Sequence, residues 1–464
     1  MMSVPEEKLF LKKSKQEKNK LLIKTKKELV MFSSYRKNIA GLVLSLCLMT
    51  GLLEANGLSL NGLGSKAVSM GGAFVGLADD FSLVYWNPAG AGFLSRPLFG
   101  TAAADIMPTN RYEVTVSPDT SLQAKTRFSH YLSFLMAYYQ PVSERVVVGI
   151  GFYTPVEIGT NWKGEDFKPL AGGNSYDWKS KIEVMTLSPL VAWKISNRLS
   201  LGATFNLNYG SMKWSQWAGQ MEISPGTYFD AGQYEEGLHG FGWGVTFGLL
   251  AKPADWLSVG LTVKSPSTIK FRSKINMYNL SVVGYPTSSE VRREIKWPWF
   301  IGGGISVKPL DKLTLNADVQ WAKWSELSDI TTSYLDPTWA ALMTANLAEV
   351  RPLDWEDSLQ VRFGAEYRLS QHFALRAGYY HDPAPGPDHT QTVLLPTFDC
   401  DGITAGFGYD WKGLSISWGF EYLKGKNRQI NLEDIGGEAG HWQAMPGTYK
   451  MYQVIPTISV SYQF

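Results

Sequence analysis

From about residue 97 to the C-terminus, apolar and polar residues alternate with a period of two, a pattern that suits half-buried β-strands and not helices. The last segment is the clearest. Tyr452, Val454, Pro456, Ile458, Val460, Tyr462 and Phe464 share one face, and Gln453, Thr457, Ser459, Ser461 and Gln463 share the other. Met451 and Ile455 are exceptions on the polar side. Leu414, Ile416, Trp418, Phe420 and Tyr422 oppose Ser415, Ser417, Gly419 and Glu421 in the same way. So do Leu313, Leu315, Ala317, Val319 and Trp321 against Thr314, Asn316, Asp318 and Gln320. Such strands fit a soluble sandwich, or a closed barrel whose apolar face meets lipid and whose polar face lines a lumen. Two details favour the barrel. The polar faces carry small or neutral residues where a soluble surface carries Lys and Glu, and aromatics gather at strand ends as interfacial girdles do.

About fourteen runs of this kind can be counted, beginning near residues 97, 131, 146, 182, 199, 241, 256, 291, 313, 358, 373, 402, 414 and 451. The number is even, as single-chain bacterial barrels require. Short turns at Pro141–Arg145, Ser196–Arg198, Lys252–Asp255, Lys308–Lys312, Ser370–His372 and Asp410–Gly413 alternate with long polar loops. That is the outer-membrane arrangement of periplasmic turns and extracellular loops, and it puts both termini in the periplasm. The chain stops on an aromatic, Phe464, the kind of ending through which barrel-assembly machinery is expected to engage the last strand.

Composition agrees. Aromatics make up 13% of the chain and charged residues only 19%, and a net charge of +2 argues against a nucleic-acid partner. Cys47 and Cys400 are the two cysteines, so no disulfide framework is expected. Ile39–Leu53 is an apolar run preceded by Arg36 and Lys37, short for a membrane helix and suited to a secretory signal. Cleavage is expected after Ala55. The basic tract before Met31 is long for such a signal, which points to a misassigned start; the alternative is a cytoplasmic tail on an uncleaved anchor. The expected organisation is 1–55 as extension plus signal, 56–96 as a separate N-terminal element and 97–464 as barrel.

Between signal and first strand lies NGLGSKAVSMGGAFVGLADDFSLVYWNPAGAGFL, residues 61–94, which reads as neither strand nor long helix. Its backbone polar groups need partners, and the lumen of a closed barrel would supply them. The small-residue run around Met70–Ala73, the acidic pair Asp79 and Asp80, and Asn87-Pro88-Ala89 make this segment resemble the N-terminal hatch of the FadL/TodX family of outer-membrane channels for hydrophobic compounds. TPVEIGTNWKG at 154–164 resembles that family's segment after its third strand. The resemblance spans residues 56–464 and implies an all-β fold, an antiparallel transmembrane β-barrel of fourteen strands plugged by the hatch. It implies a passive transporter: ligand is captured among extracellular loops, passes to an apolar site above the hatch and leaves sideways through a gap at a kinked third strand. Long-chain fatty acids and hydrocarbons are the implied cargo.

The resemblance assigns candidates. Gly149, Gly151 and Pro155 fall in the predicted third strand, where glycine permits a bulge and proline cannot donate to the ladder; they are expected at the lateral opening, or Pro155 only ends the strand. Asn87, Pro88 and Ala89 form a tight turn that either gates or merely seats the hatch. Asp79 and Asp80 are expected to anchor the hatch through Arg362, Arg368 or Arg376. Leu58, Leu60, Phe74 and Phe81 either flank the ligand site or pack within the plug. Trp162, Trp178, Trp214 and Trp217 are expected in a surface capture groove or dipping into lipopolysaccharide. His381, Asp382, Asp388 and His389 suit a metal by type, but the prolines and glycine among them read as an exposed turn, and neither metal nor cofactor is expected. The competing functions are an outer-membrane lipid-modifying enzyme, for which no nucleophile motif appears, and a polar porin or adhesin. The expected partners are a hydrophobic small molecule, outer-membrane lipid and lipopolysaccharide, and the assembly machinery, with the protein monomeric.

Overall fold

A computed structural model describes residues 57–435 and 444–464. The basic extension, the expected signal sequence with Cys47, and the expected cleavage after Ala55 lie outside the described residues. Fourteen strands form the wall: β1 (Leu98–Ser117), β2 (Thr120–Lys125 and Tyr131–Pro141), β3 (Val146–Trp162), β4 (Trp178–Ser196), β5 (Leu199–Trp217) and β6 (Gln233–Ala254). They continue as β7 (Leu257–Lys264 and Ser267–Met277), β8 (Ser288–Trp297 and Phe300–Leu310), β9 (Leu313–Ala322, extended by Asp329–Tyr334) and β10 (Ser358–Arg368). The last four are β11 (Phe373–Asp382), β12 (Cys400–Trp411), β13 (Leu414–Gly425) and β14 (Gly447–Gln463).

Each strand pairs antiparallel with its neighbours, and β14 returns to β1 from Leu98↔Gln463 to Glu113↔Thr448, so the sheet closes into a barrel. The strand count and the short turns agree with the sequence reading. β4, β6 and β8 begin several residues earlier than expected, because they run on above the lipid band into the loops, where the apolar alternation no longer applies. Pro266 and Pro298 interrupt β7 and β8, since proline offers no N–H to the ladder.

The faces are inverted relative to a soluble protein. Trp418, Phe420 and Tyr422 point outward and are exposed, while Asn316, Asp318, Gln320, Gln360 and Arg362 point inward and are buried. No helix of the described residues is long and apolar enough to cross a membrane; the crossing is made by strands. Phe99, Tyr138 and Tyr462 mark one end of the lipid band, and Phe464 follows them with its ring edge-on to Tyr462 at 5.0 Å.

Two apolar clusters fill the interior. The lower one joins residues 60–91 to the inner wall; the upper one unites the far ends of the strands with the long loops.

Candidate functional site

Residues 57–97 carry two short helices, α1 (Ser65–Ser69) and α2 (Leu83–Trp86), and a 3-10 turn at Pro88–Phe93. The segment satisfies its backbone against the wall. Tyr139 of β2 donates to the Phe81 carbonyl (2.6 Å), and Asn316 of β9 donates to Ala73 O (2.8 Å). The Val75 N–H donates to Asp318 (2.7 Å), and Arg362 of β10 donates to Gly71 O (3.0 Å). Thr404 of β12 donates to Ser69 O (3.0 Å), and Ser65 N donates to Ser459 of β14 (2.8 Å). Partners on so many strands around the ring mean that the segment lies inside the barrel.

Close approach depends on wall glycines. A Cβ at Gly202, Gly248, Gly260 or Gly304 would run into Pro88, Asn87, Val75 or Gly76. Gly71, at φ 65° and against the Phe363 and Tyr379 carbonyls, answers them from the segment side. The Asn87 side chain is fully buried and ties the segment to itself and to β6. Its Nδ2 donates to Val75 O and Leu249 O, both at 3.0 Å, and its Oδ1 accepts from Ala89 N at 3.1 Å.

Asp79 and Asp80 do not reach the expected arginines. Asp79 pairs with Lys66 at 2.7 Å, and Asp80 accepts from the Ser82 N–H and hydroxyl as a local turn. Arg376 is taken by Glu366 (2.7 Å), Arg368 lies near Glu366 and Asp410, and Arg362 is held by Gln360 and the Gly71 carbonyl. Burial works to lower the Lys66 ammonium, but the Asp79 and Glu366 carboxylates hold it above the usual lysine range. Burial pushes the Asp80 carboxyl up, against Lys66 and the Ser82 hydroxyl.

The wall itself is incomplete at β3. Below, β2 and β3 pair from Pro141↔Val147 to Leu135↔Tyr153; the ladder resumes only at Thr126↔Trp162. On its other side β3 pairs with β4 throughout, with one extra residue between Tyr153↔Thr186 and Val156↔Val184. That residue is the bulge around Pro155, which lacks a donor and turns the strand away from β2. Its carbonyl accepts from Leu60 N at 3.0 Å, so the N-terminal segment is fastened to the bulge. Gly149 and Gly151 lie in the regular ladder below it. Contrary to the expectation, they do not make the kink; Gly149 admits the Tyr139 ring, and Gly151 admits Val84 of α2.

Two cavities meet at the first described residues, with Ser59 lining both. One, of about 140 Å³, touches Leu60, Ile106, Ile182, Phe398, Met451 and Ile455 and reaches both edges of the unpaired wall, at Tyr131 and at Glu157–Thr160. The other, of about 130 Å³, is bounded by Tyr85, Tyr153, Val156, Ile269, Phe300 and Trp324 and contains Lys264 and Arg362 without any Asp or Glu in its lining. The Lys264 ammonium stands 3.8 Å from the Tyr85 ring centroid and 4.9 Å from that of Phe300.

Of the four apolar candidates, Leu60 lines a cavity and Leu58 is buried in the upper cluster. Phe74 packs edge-on to Trp86 within the segment, and Phe81 fills the space over Gly100, so neither borders these two cavities. Trp162, Trp178 and Trp214 are not on the surface. They are buried in the upper cluster, where Trp162 and Trp178 sandwich Phe167 and the Trp162 indole donates to Val393 O at 2.9 Å. Trp217 stacks on Tyr176 and donates to Asp230 at 2.7 Å.

The 381–389 turn, expected to be exposed, supplies Pro383 and Pro385 to the first cavity, and the chain beyond it adds Leu394 and Phe398. Its polar residues diverge: His381 faces Asp401, Asp382 faces Gln360, Asp388 faces Arg428 and His389 faces Asp354. No cluster of metal-ligating residues occurs among the described residues. The sequence held one signal for the cavity that was not followed. Met451 and Ile455, the two breaks in alternation on β14, are cavity-lining residues.

Known proteins give the same architecture. The family described as "Outer membrane protein transport protein (OMPP1/FadL/TodX)" matches residues 44–464. The long-chain fatty acid transport protein of Escherichia coli K12 is 24% identical over 416 residues, covering 82% of this chain and 89% of that protein. Outer membrane protein P1 of Haemophilus influenzae is 21% identical over 410 residues, covering 79% and 85%. Among solved structures, a Pseudomonas aeruginosa FadL homologue superposes with a TM-score of 0.70 at 17% identity, covering 88% of this chain and 100% of its own. The Pseudomonas putida toluene transporter TodX gives 0.66 at 17% identity, covering 89% and 99%. These relatives are transport proteins and not enzymes, and the chain belongs to the OMPP1/FadL/TodX family of outer-membrane transport proteins.

Proposed function

We propose that this protein carries hydrophobic compounds across the outer membrane, with the N-terminal segment as its hatch and the unpaired stretch between β2 and β3 as a lateral exit. The observation that carries the reading is the coincidence of three features at one place. The ladder is broken at Pro155, a cavity reaches both broken edges, and the hatch is hydrogen-bonded to the bulge. A hydrophobic molecule gains by passing from such a cavity into adjacent lipid and gains nothing from an aqueous periplasm. Gating by Asn87, Pro88 and Ala89, capture by the extracellular loops, and assembly through Phe464 belong to the same reading.

Lys264 and Arg362, in a cavity that is otherwise largely apolar and lacks carboxylates, favour an amphiphile with an anionic head, such as a long-chain fatty acid, over a neutral hydrocarbon. Deleting Pro155 tests the exit. Removing the extra residue restores one-to-one register with β4 and lets β3 return to β2. Uptake of a long-chain fatty acid into cells is expected to drop about tenfold or more as the bulge is healed, while a folded, heat-modifiable barrel still reaches the outer membrane. Undiminished uptake by that folded variant would sink the lateral route.

A further inference from the structure

Two ionisable side chains stand on the lipid face of the wall beside the break in the ladder. His130 lies in the break between the two halves of β2, facing the stretch of β3 that has no partner there, and its Nδ1 is 2.7 Å from Asp105 Oδ2 on β1. Both point outward. Asp105 pairs across the strands with Leu132, which is exposed, and His130 lies between Leu132 and the exposed Phe128, whose ring it meets edge-on at 4.8 Å.

Asp105 is six residues above Phe99 of the aromatic girdle. At about 3.3 Å rise per residue and a tilt of about 40°, that is about 15 Å into an apolar band about 25 Å tall. Charged groups at that depth are costly and mark functional positions by default. One carboxylate oxygen, Asp105 Oδ1, is buried and has no hydrogen-bond partner. His130 Nε2 makes no hydrogen bond among the described residues, and the side chain is about half exposed.

We propose that Asp105 and His130 form a proton-donating station at the outer lip of the exit, where the carboxylate of an acidic amphiphile is neutralised as it enters the bilayer. The inference rests on the lateral-exit reading above. A carboxylate cannot enter hydrocarbon ionised without a large desolvation cost; it enters as the acid. In the proposed step the imidazolium Nε2–H bond breaks and an O–H bond forms on the substrate, leaving neutral imidazole hydrogen-bonded through Nδ1–H to Asp105. A hydronium ion arriving through the gap in the wall then reprotonates Nε2, so no net charge accumulates. Asp105 fixes the tautomer and stabilises the imidazolium between turnovers.

The other charges around the exit are accounted for. Arg127, in the same break, donates through Nε to the Trp162 carbonyl. Across the gap Glu157 of β3 and Glu183 of β4 share Lys181, at 2.8 and 3.0 Å, and Tyr131, buried on the lumen side, feels the charges of Lys181 and Glu157. A mechanical clamp for the loose edge of β2 would need a hydrogen bond but not an ionisable pair.

His130→Gln separates the two roles, because the glutamine amide still offers an N–H to Asp105 but cannot deliver a proton. Uptake of a long-chain fatty acid and of its methyl ester is measured side by side, between pH 6 and 8, in cells whose barrels are shown to be folded. The expected result is acid uptake lowered by at least about tenfold, with ester uptake kept within about twofold. Unchanged acid uptake overturns the proposal, and so does an equal loss of acid and ester, which would make the pair structural. Wild-type protein that takes up neither compound overturns the transport reading, and this inference with it.

Discussion

At the scale of single residues, the N-terminal segment is held by buried polar side chains that meet its backbone atoms. Asn87 is the densest example, with three hydrogen bonds from one amide and no exposure. Removing it strands two carbonyls and one N–H in a dry site, each costing about 1–3 kcal/mol. Lys264 is different in kind, since it faces aromatic rings and a cavity instead of a carboxylate. If the cargo carries a carboxylate, Lys264→Gln should weaken its binding to the purified protein about tenfold, from a charge-assisted contact of about 1.5–3 kcal/mol that is partly solvent-screened. A neutral alkane should bind the variant and the wild type alike. Equal affinity for the fatty acid would shift the substrate assignment towards hydrocarbons.

At the scale of elements, the strands are legible and their contacts with the N-terminal segment are not. Period-two alternation announces each strand and its lipid face, because the pleat sends successive side chains to opposite sides. Glycine, by contrast, leaves no trace of what approaches it. Gly303 and Gly304 are neighbours on β8, yet a Cβ at Gly303 meets nothing within 4 Å and one at Gly304 meets the Gly76 backbone and Asp318. Gly304→Val should therefore cost about 1–3 kcal/mol by overpacking and loosen the N-terminal segment, read as a lowered unfolding temperature and easier proteolysis of residues 57–94. Gly303→Val should be silent in both assays. The same logic explains why Gly149 and Gly151 misled as kink residues: they are docking sites for Tyr139 and Val84, and the kink belongs to the one residue that cannot donate.

At the scale of the whole molecule, a closed ring of fourteen strands would enclose an aqueous pore if its lumen were empty. The N-terminal segment and the inward loops occupy that lumen. Deleting residues 57–94 is expected to turn a barrel with little steady conductance into an ion-conducting pore in planar bilayers. Conductance no greater than that of the intact chain would mean that the upper cluster alone, built from loops and residues such as Trp162, Trp178 and Trp214, seals the channel. Those tryptophans read as surface groups in the sequence because the strand ends that carry them lie next to long polar loops. Only the folding of the loops back over the barrel mouth buries them.

The chain by itself determined the number of strands, which face of each meets lipid, and the presence of a small-residue segment unsuited to any strand. All of these follow from local periodicity, turn chemistry and parity, which a linear sequence carries in full. The tertiary structure decided where the β2–β3 ladder is unpaired, which glycines admit the N-terminal segment, and that Asp79 meets Lys66 and not an arginine. It also brought Asp105 to His130 across a broken strand. These depend on register and on contacts between residues tens to hundreds of positions apart. A single unpaired proline shifts such contacts without altering the alternation on either side of it.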